Sequence, residues 1–222
     1  MNSRKRVGAL ISGRGSNLQS LLDACREPDY PAEIVLVVSN RPGAPGLERA
    51  NKAGVAALTI DHKAFPNRAA FDAELDRSLR AAGVEILCNA GFMRLLTAGF
   101  VEAWRDRQLN IHPSLLPAFR GLHPQQQALD AGVCISGATV HFVRAEMDAG
   151  PILAQAAVPV RPDDNAETLA ARILQAEHRI YPQALALVAS GAAWVEGEAV
   201  RYSSAEVARS VFSPQAIFPA AS

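Results

Sequence analysis

The chain has 222 residues, 49% of them hydrophobic, enough to bury one sizeable core within the usual size of a single domain. Lys plus Arg and Asp plus Glu stand at 22 each, so no whole-molecule field draws it to nucleic acid or an anionic membrane, and any anionic ligand must be held locally. Cys25, Cys88 and Cys134 are far apart and form neither a C-x-x-C pair nor a cluster with metal-ligand spacing, which suits a reducing compartment and excludes a cysteine-built metal site.

At the N-terminus the basic residues Arg4, Lys5 and Arg6 precede an apolar run, 7–11, that breaks at Ser12 and Gly13. That run is too short for a signal peptide or a membrane span, so a soluble, cytoplasmic protein is expected. The segments 7–11, 33–38, 55–60 and 84–88 are short apolar runs rather than alternations, as expected of strands covered on both faces. Between them Leu18, Leu21, Leu22 and Cys25 form one helical stripe and Phe71, Leu75 and Leu79 another, with a weaker one at Leu47, Ala50 and Ala53. This β-α-β-α order predicts an α/β fold, a Rossmann-like, mostly parallel sheet flanked by helices.

After Trp104 the pattern becomes mixed. A strand at about 108–112 enters a Pro-rich turn, followed by a short helix near 123–131 and two alternating strands near 135–143 and 152–160. Asp163, Asp164 and Asn165 are candidate N-caps for a long helix to about 189, and 194–202 reads as a small hairpin about its glycine. The last dozen residues read as a loosely held tail. No repeat or linker divides the chain, so a single domain, 1–222, is expected.

Directly after the first strand comes SGRGSN, 12–17, where the next helix begins. A strand, a glycine turn and a helix N-terminus aim backbone N–H groups and the positive end of the helix dipole at one point, which favours a phosphate. Gly13 and Gly15 permit close approach, and Ser16 and Asn17 can add side-chain donors. A dinucleotide fingerprint would need glycine where Leu18 stands, and the Gly-Lys-Ser/Thr of a Walker loop is absent, so a phosphomonoester fits better than NAD or ATP. A tight βα turn that uses glycine for its geometry alone would look the same.

The stretch QLNIHPSLLP, 108–117, places Asn110 and His112 two apart on one face of a strand, their Cα atoms separated by roughly 6.7 Å. Pro113 turns the chain away and leaves His112 at the strand's carboxyl end, the edge where open α/β sheets bind ligands. A side-chain amide and a protonatable imidazole match the needs of acyl transfer to an amine: one stabilises the tetrahedral oxyanion, the other supplies a proton to the leaving nitrogen. A carboxylate beside His112 would favour its charged form, and Asp148, in the EMDAGP turn at 146–151, is the candidate. Taken singly, Asn110 could instead pair turn backbone, His112 could be a satisfied core histidine and Asp148 a turn residue.

Together ISGRGSN (11–17), SNRPGAPGLERA (39–50), AGFMRLL (90–96), LNIHPSLLP (109–117), GATVHFV (137–143), MDAGPIL (147–153) and AEHRIYP (176–182) resemble the folate-dependent formyltransferases over nearly the whole chain up to the hairpin. The resemblance implies the formyltransferase fold, with a phosphate-binding βα half (1–107), a catalytic and folate-binding half (108–190) and a hairpin and tail (191–222). It implies transfer from 10-formyltetrahydrofolate, a co-substrate, to the amine of 5-phosphoribosylglycinamide in purine biosynthesis, without a metal, by a monomer or homodimer acting on small molecules. The matching catalytic set is Asn110, His112 and Asp148, with the aspartate favouring the charged histidine. Gly15, Ser16 and Asn17 match the turn that holds the substrate phosphate, and Glu177 a substrate contact. Arg68, the segment Met93, Arg94, Leu95 and Leu96, Asn110, and the loop Arg144, Ala145, Glu146, Met147 and Asp148 match folate-binding elements.

Without the resemblance, Glu177 reads as a solvated helix residue, Arg68 as a surface charge, and Met93, Leu95 and Leu96 as ordinary core. His141 reads as a structural strand residue, and His178 stays open. Some relatives carry a further histidine where Gln125 stands. Two rival functions remain at this stage. A formyltetrahydrofolate hydrolase is one, although that enzyme typically has a second histidine where Pro113 stands. A non-catalytic module that binds a phosphorylated metabolite is the other.

Overall fold

The computed structural model describes residues 4–210, and the expected C-terminal tail lies outside them. Chain contacts divide it into two compact units. The first runs to Asn110 and includes Val143–Ala145; the second comprises Ile111–Phe142 and resumes at Glu146.

The first unit alternates β1 (Lys5–Ile11), α1 (Ser16–Cys25), β2 (Ala32–Ser39), α2 (Pro45–Lys52), β3 (Ala56–Thr59), a 3-10 turn (His62–Ala64), α3 (Arg68–Ala81), β4 (Ile86–Asn89), α4 (Ala98–Ala103) and the start of β5 (Gln108–His112). Its strands run parallel in the order β3-β2-β1-β4-β5. β1 is central because its apolar run is covered on both faces: Val7, Ala9, Leu10 and Ile11 are all fully buried. The predicted stripes bury Leu18, Leu21 and Leu22 on α1 and Phe71, Leu75 and Leu79 on α3. A cluster of Leu10, Val38, Phe71, Leu75, Leu79, Leu87, Phe100 and Trp104 forms the core of this unit.

Two readings of the sequence need correction here. The run at 55–60 was expected to be covered on both faces, yet all four residues of β3 are exposed. It is the last strand of the order, where an apolar composition makes a strand without a second layer over it. Helix α4 carries no periodic stripe in its six residues, so the pattern did not announce it; its cap is Thr97, whose hydroxyl accepts from Phe100 N.

The second unit holds α5 (Pro124–Asp130), the antiparallel pair β6 (Ile135–Phe142) and β7 (Ile152–Pro159), α6 (Ala166–Ala189), the hairpin β8 (Ala193–Glu196) and β9 (Ala199–Tyr202), and α7 (Ala205–Ser210). Helix α6 packs on β6 and β7 and buries Leu169, Ile173, Tyr181 and Leu185. Of its three candidate caps, Asn165 does the capping: its side chain accepts from Glu167 N and Thr168 N, and Thr168 bonds back to Asn165 N. Asp164 instead pairs with Arg172, about two turns into the helix. The hairpin turns at Gly197, φ 64°, as its sequence indicated.

Candidate active site

In the first unit, β1 leads into a turn whose last residue, Gly15, caps α1 in the left-handed region at φ 70°. No side chain could stand there without strain, and a Cβ would come within 2.8 Å of Gly46 Cα. The turn is tied down by Gly46 N donating to Gly13 O and by Arg49 Nε donating to Arg14 O. Gly15 offers no side-chain cap to the first turn of α1, the positive end of the helix dipole, where Ser16 is half-buried and Asn17 buried. Next to this turn the Ser12 hydroxyl donates to Asn40 Oδ1 at 2.6 Å and accepts from Met93 N at 2.8 Å, which fixes the start of the 93–96 segment.

That segment is not core. Met93 is 70% exposed and Leu95 53%, whereas Leu96 packs against the apolar cluster and the Arg94 guanidinium lies over the Phe71 ring at 4.8 Å. Two large apolar side chains held in solvent by an ordered backbone suit a ligand surface better than a packing role. Arg68 is exposed at the start of α3, and Arg144 is pinned to Asp106 at 2.7 Å.

In the second unit the structure brings His112 and Asp148 together. His112 ends β5 and is buried, and Asp148 Oδ2 lies 3.4 Å from its Nδ1. Asp148 reaches this position from a left-handed backbone, φ 52°, and the same Oδ2 accepts from Gly121 N at 3.0 Å. The turn after His112 is locked by Thr139, whose hydroxyl donates to Ser114 O and accepts from Leu116 N, while Ser114 Oγ donates to Ala118 O. This network carries the chain back so that the Phe119 carbonyl faces His112 Nε2 at 2.9 Å. Each ring nitrogen therefore faces an oxygen.

Sequence reading missed His141 as a member of this group. Its Nε2 lies 3.8 Å from Asp148 Oδ1, and its Nδ1 faces the Phe142 carbonyl at 3.0 Å. Burial pushes the His141 ring below its ordinary value, outweighing the opposing pull of the Phe142 carbonyl and Asp148. The missed signal was its alternation phase on β6, which faces the 146–149 turn, a relation that no local pattern encodes. Ala145, Glu146 and Met147 of that turn are exposed, and Glu146 pairs with Arg120 at 3.0 Å. Glu177 is buried on α6 rather than solvated, and His178 beside it is half-buried. Among the described residues no group of three or more His, Cys, Asp or Glu side chains could hold a metal, and no helix is long and apolar enough to cross a membrane.

Residues 5–185 match the family described as formyl transferase. The trifunctional purine biosynthetic protein adenosine-3 of Drosophila pseudoobscura pseudoobscura is 58% identical over 191 residues, 85% of this chain, and the chain spans only 14% of that protein's length. The phosphoribosylglycinamide formyltransferase of Escherichia coli strain K12 is 43% identical over 199 residues, covering 86% of this chain and 94% of that enzyme. Among solved structures, glycinamide ribonucleotide transformylase 1 from Symbiobacterium toebii superposes with a TM-score of 0.87 at 54% identity, over 90% of this chain and 94% of that one.

Proposed function

Because the chain belongs to the formyl transferase family, we propose that it moves the formyl group of 10-formyltetrahydrofolate to the amine of 5-phosphoribosylglycinamide, the acceptor in the name of its Escherichia coli relative. The observation that carries the mechanism is the Asp148 carboxylate, 3.4 Å from His112 Nδ1 and fixed by Gly121 N.

The substrate amine attacks the formyl carbon, and the carbonyl electron pair moves to oxygen. Asn110, two residues before His112 on β5, donates its side-chain amide to that oxyanion. His112, with Asp148 behind it, adds positive charge on the same face; for this Nε2 exchanges the Phe119 carbonyl for the substrate. The attacking nitrogen then loses a proton, N10 of the folate gains one, and the C–N10 bond breaks to leave tetrahydrofolate and the formylated amine. The Gly15, Ser16 and Asn17 turn holds the phosphate on the N-terminal N–H groups of α1. Glu177 contacts the same substrate. Folate binding falls to Arg68, to the 93–96 segment, whose exposed Met93 and Leu95 supply apolar surface for its ring system, and to the 144–148 loop.

The reaction is tested by following 10-formyltetrahydrofolate with and without 5-phosphoribosylglycinamide. Consumption that depends on the amine supports transfer; release of formate without it indicates a hydrolase; binding of the phosphorylated compound with no turnover indicates a silent module.

A further inference from the structure

Strands β4 and β5 are apolar in register except on one face. There Asn89 stands opposite Asn110, and Gln108 precedes Asn110 by two positions on the same side. Gln108 is 1% exposed and Asn89 8%, and Gln108 Nε2 donates to Asn89 Oδ1 at 3.1 Å. Two amides inside strands that otherwise bury Ile86, Leu87, Cys88 and Leu109 are a costly choice for packing alone, since leucine would fill the same volume without polar atoms to satisfy. The buried Gln108 Oε1 underlines this cost, because it has no hydrogen-bond partner among the described residues.

We propose that Asn89 and Gln108 are positioning residues that set which way the Asn110 amide faces, an inference that rests on the formyl-transfer reading. An asparagine side chain presents a donor to the reacting oxygen only if its amide is turned with NH2 outward, and nothing intrinsic to the residue favours that orientation over its flip. The Gln108 donor fixes Asn89 with its oxygen toward Gln108, which turns the Asn89 NH2 away from it. The neighbouring strand lies about 4.8 Å off, within reach of a side-chain amide. Donation from Asn89 to Asn110 Oδ1 then orients the Asn110 NH2 toward the substrate and polarises it, so that three amides donate in one direction toward the developing oxyanion.

The test is steady-state kinetics on Asn89→Leu, Gln108→Leu, the double variant Asn89→Leu/Gln108→Leu, and Asn89→Leu in an Asn110→Ala background, with thermal unfolding of each. Asn89→Leu is expected to lower kcat about tenfold, the size of one lost hydrogen bond at the reacting atom, with KM for both substrates within about twofold. The double variant, which removes both buried amides together, keeps the Tm of the unaltered protein and still shows the kcat loss. In the Asn110→Ala background Asn89→Leu has no further effect, because the two act through one group. Full kcat in Asn89→Leu, recovery of kcat in the double variant, or an equal loss with Asn110 already removed would each overturn the proposal. Absence of amine-dependent transfer by the unaltered protein would instead remove the functional reading on which it stands.

Discussion

Asp148 presents one carboxylate oxygen to His112 and the other to His141, at 3.4 and 3.8 Å, from a left-handed turn that Gly121 N braces. Burial holds His141 toward its neutral form. One carboxylate thus stands between two buried histidines.

The turn before α1 depends on Gly15. Gly15→Ala places a Cβ at φ 70° and against Gly46 Cα. It is expected to cost at least about 1–2 kcal/mol of stability from the left-handed backbone alone. The milder Ser16→Ala is expected to raise KM for the phosphorylated substrate more than for the folate. Equal losses for both ligands in a binding titration would contradict the division of labour.

Trp104 anchors α4 and α3. Its ring is buried, its Nε1 donates to Asp76 Oδ1 at 2.8 Å, and Arg107 lies over it at 4.9 Å. Trp104→Ala is expected to lower the unfolding free energy by about 3–5 kcal/mol, measured by urea denaturation. A loss within a few tenths would show that α4 contributes little to the core.

Asp164 sets an acid limb on stability. The Arg172 guanidinium, at 2.6 and 2.8 Å, holds its carboxyl well below the usual carboxylate range, helped by Arg161 N and Thr168. A folded-state value below the unfolded one means the contribution is present above about pH 4 and is lost as pH falls from there. Asp164→Asn is therefore expected to be less stable than the unaltered protein at pH 7, with the gap narrowing toward pH 2. A gap that stays constant across that range would contradict the pairing.

The sequence showed most of the first unit because its strands and helices differ in period. Leu18, Leu21 and Leu22 could only share a face on a helix, and 7–11 could only be a covered strand. It misjudged β3, since composition cannot tell an edge strand from a central one, and it passed over α4, which is too short for a stripe. In the site, the Asn110 and His112 spacing was legible because both lie on one strand. The Asp148 contact was guessed from a turn and a glycine; its geometry depends on φ 52° at a residue that no local rule marks. Asn89 and Gln108 could have been found, as lone amides flanking apolar strand runs, had polarity inside those runs been weighed.

In the proposed mechanism Asp148 acts through His112 on the formyl carbon. The measurement that tests it most directly is the single-turnover rate of formyl transfer by Asp148→Asn near neutral pH, alongside titration of both substrates. The rate is expected to fall by about 10² to 10⁴, with affinity for both substrates largely retained. An unchanged rate would contradict the role assigned to this carboxylate.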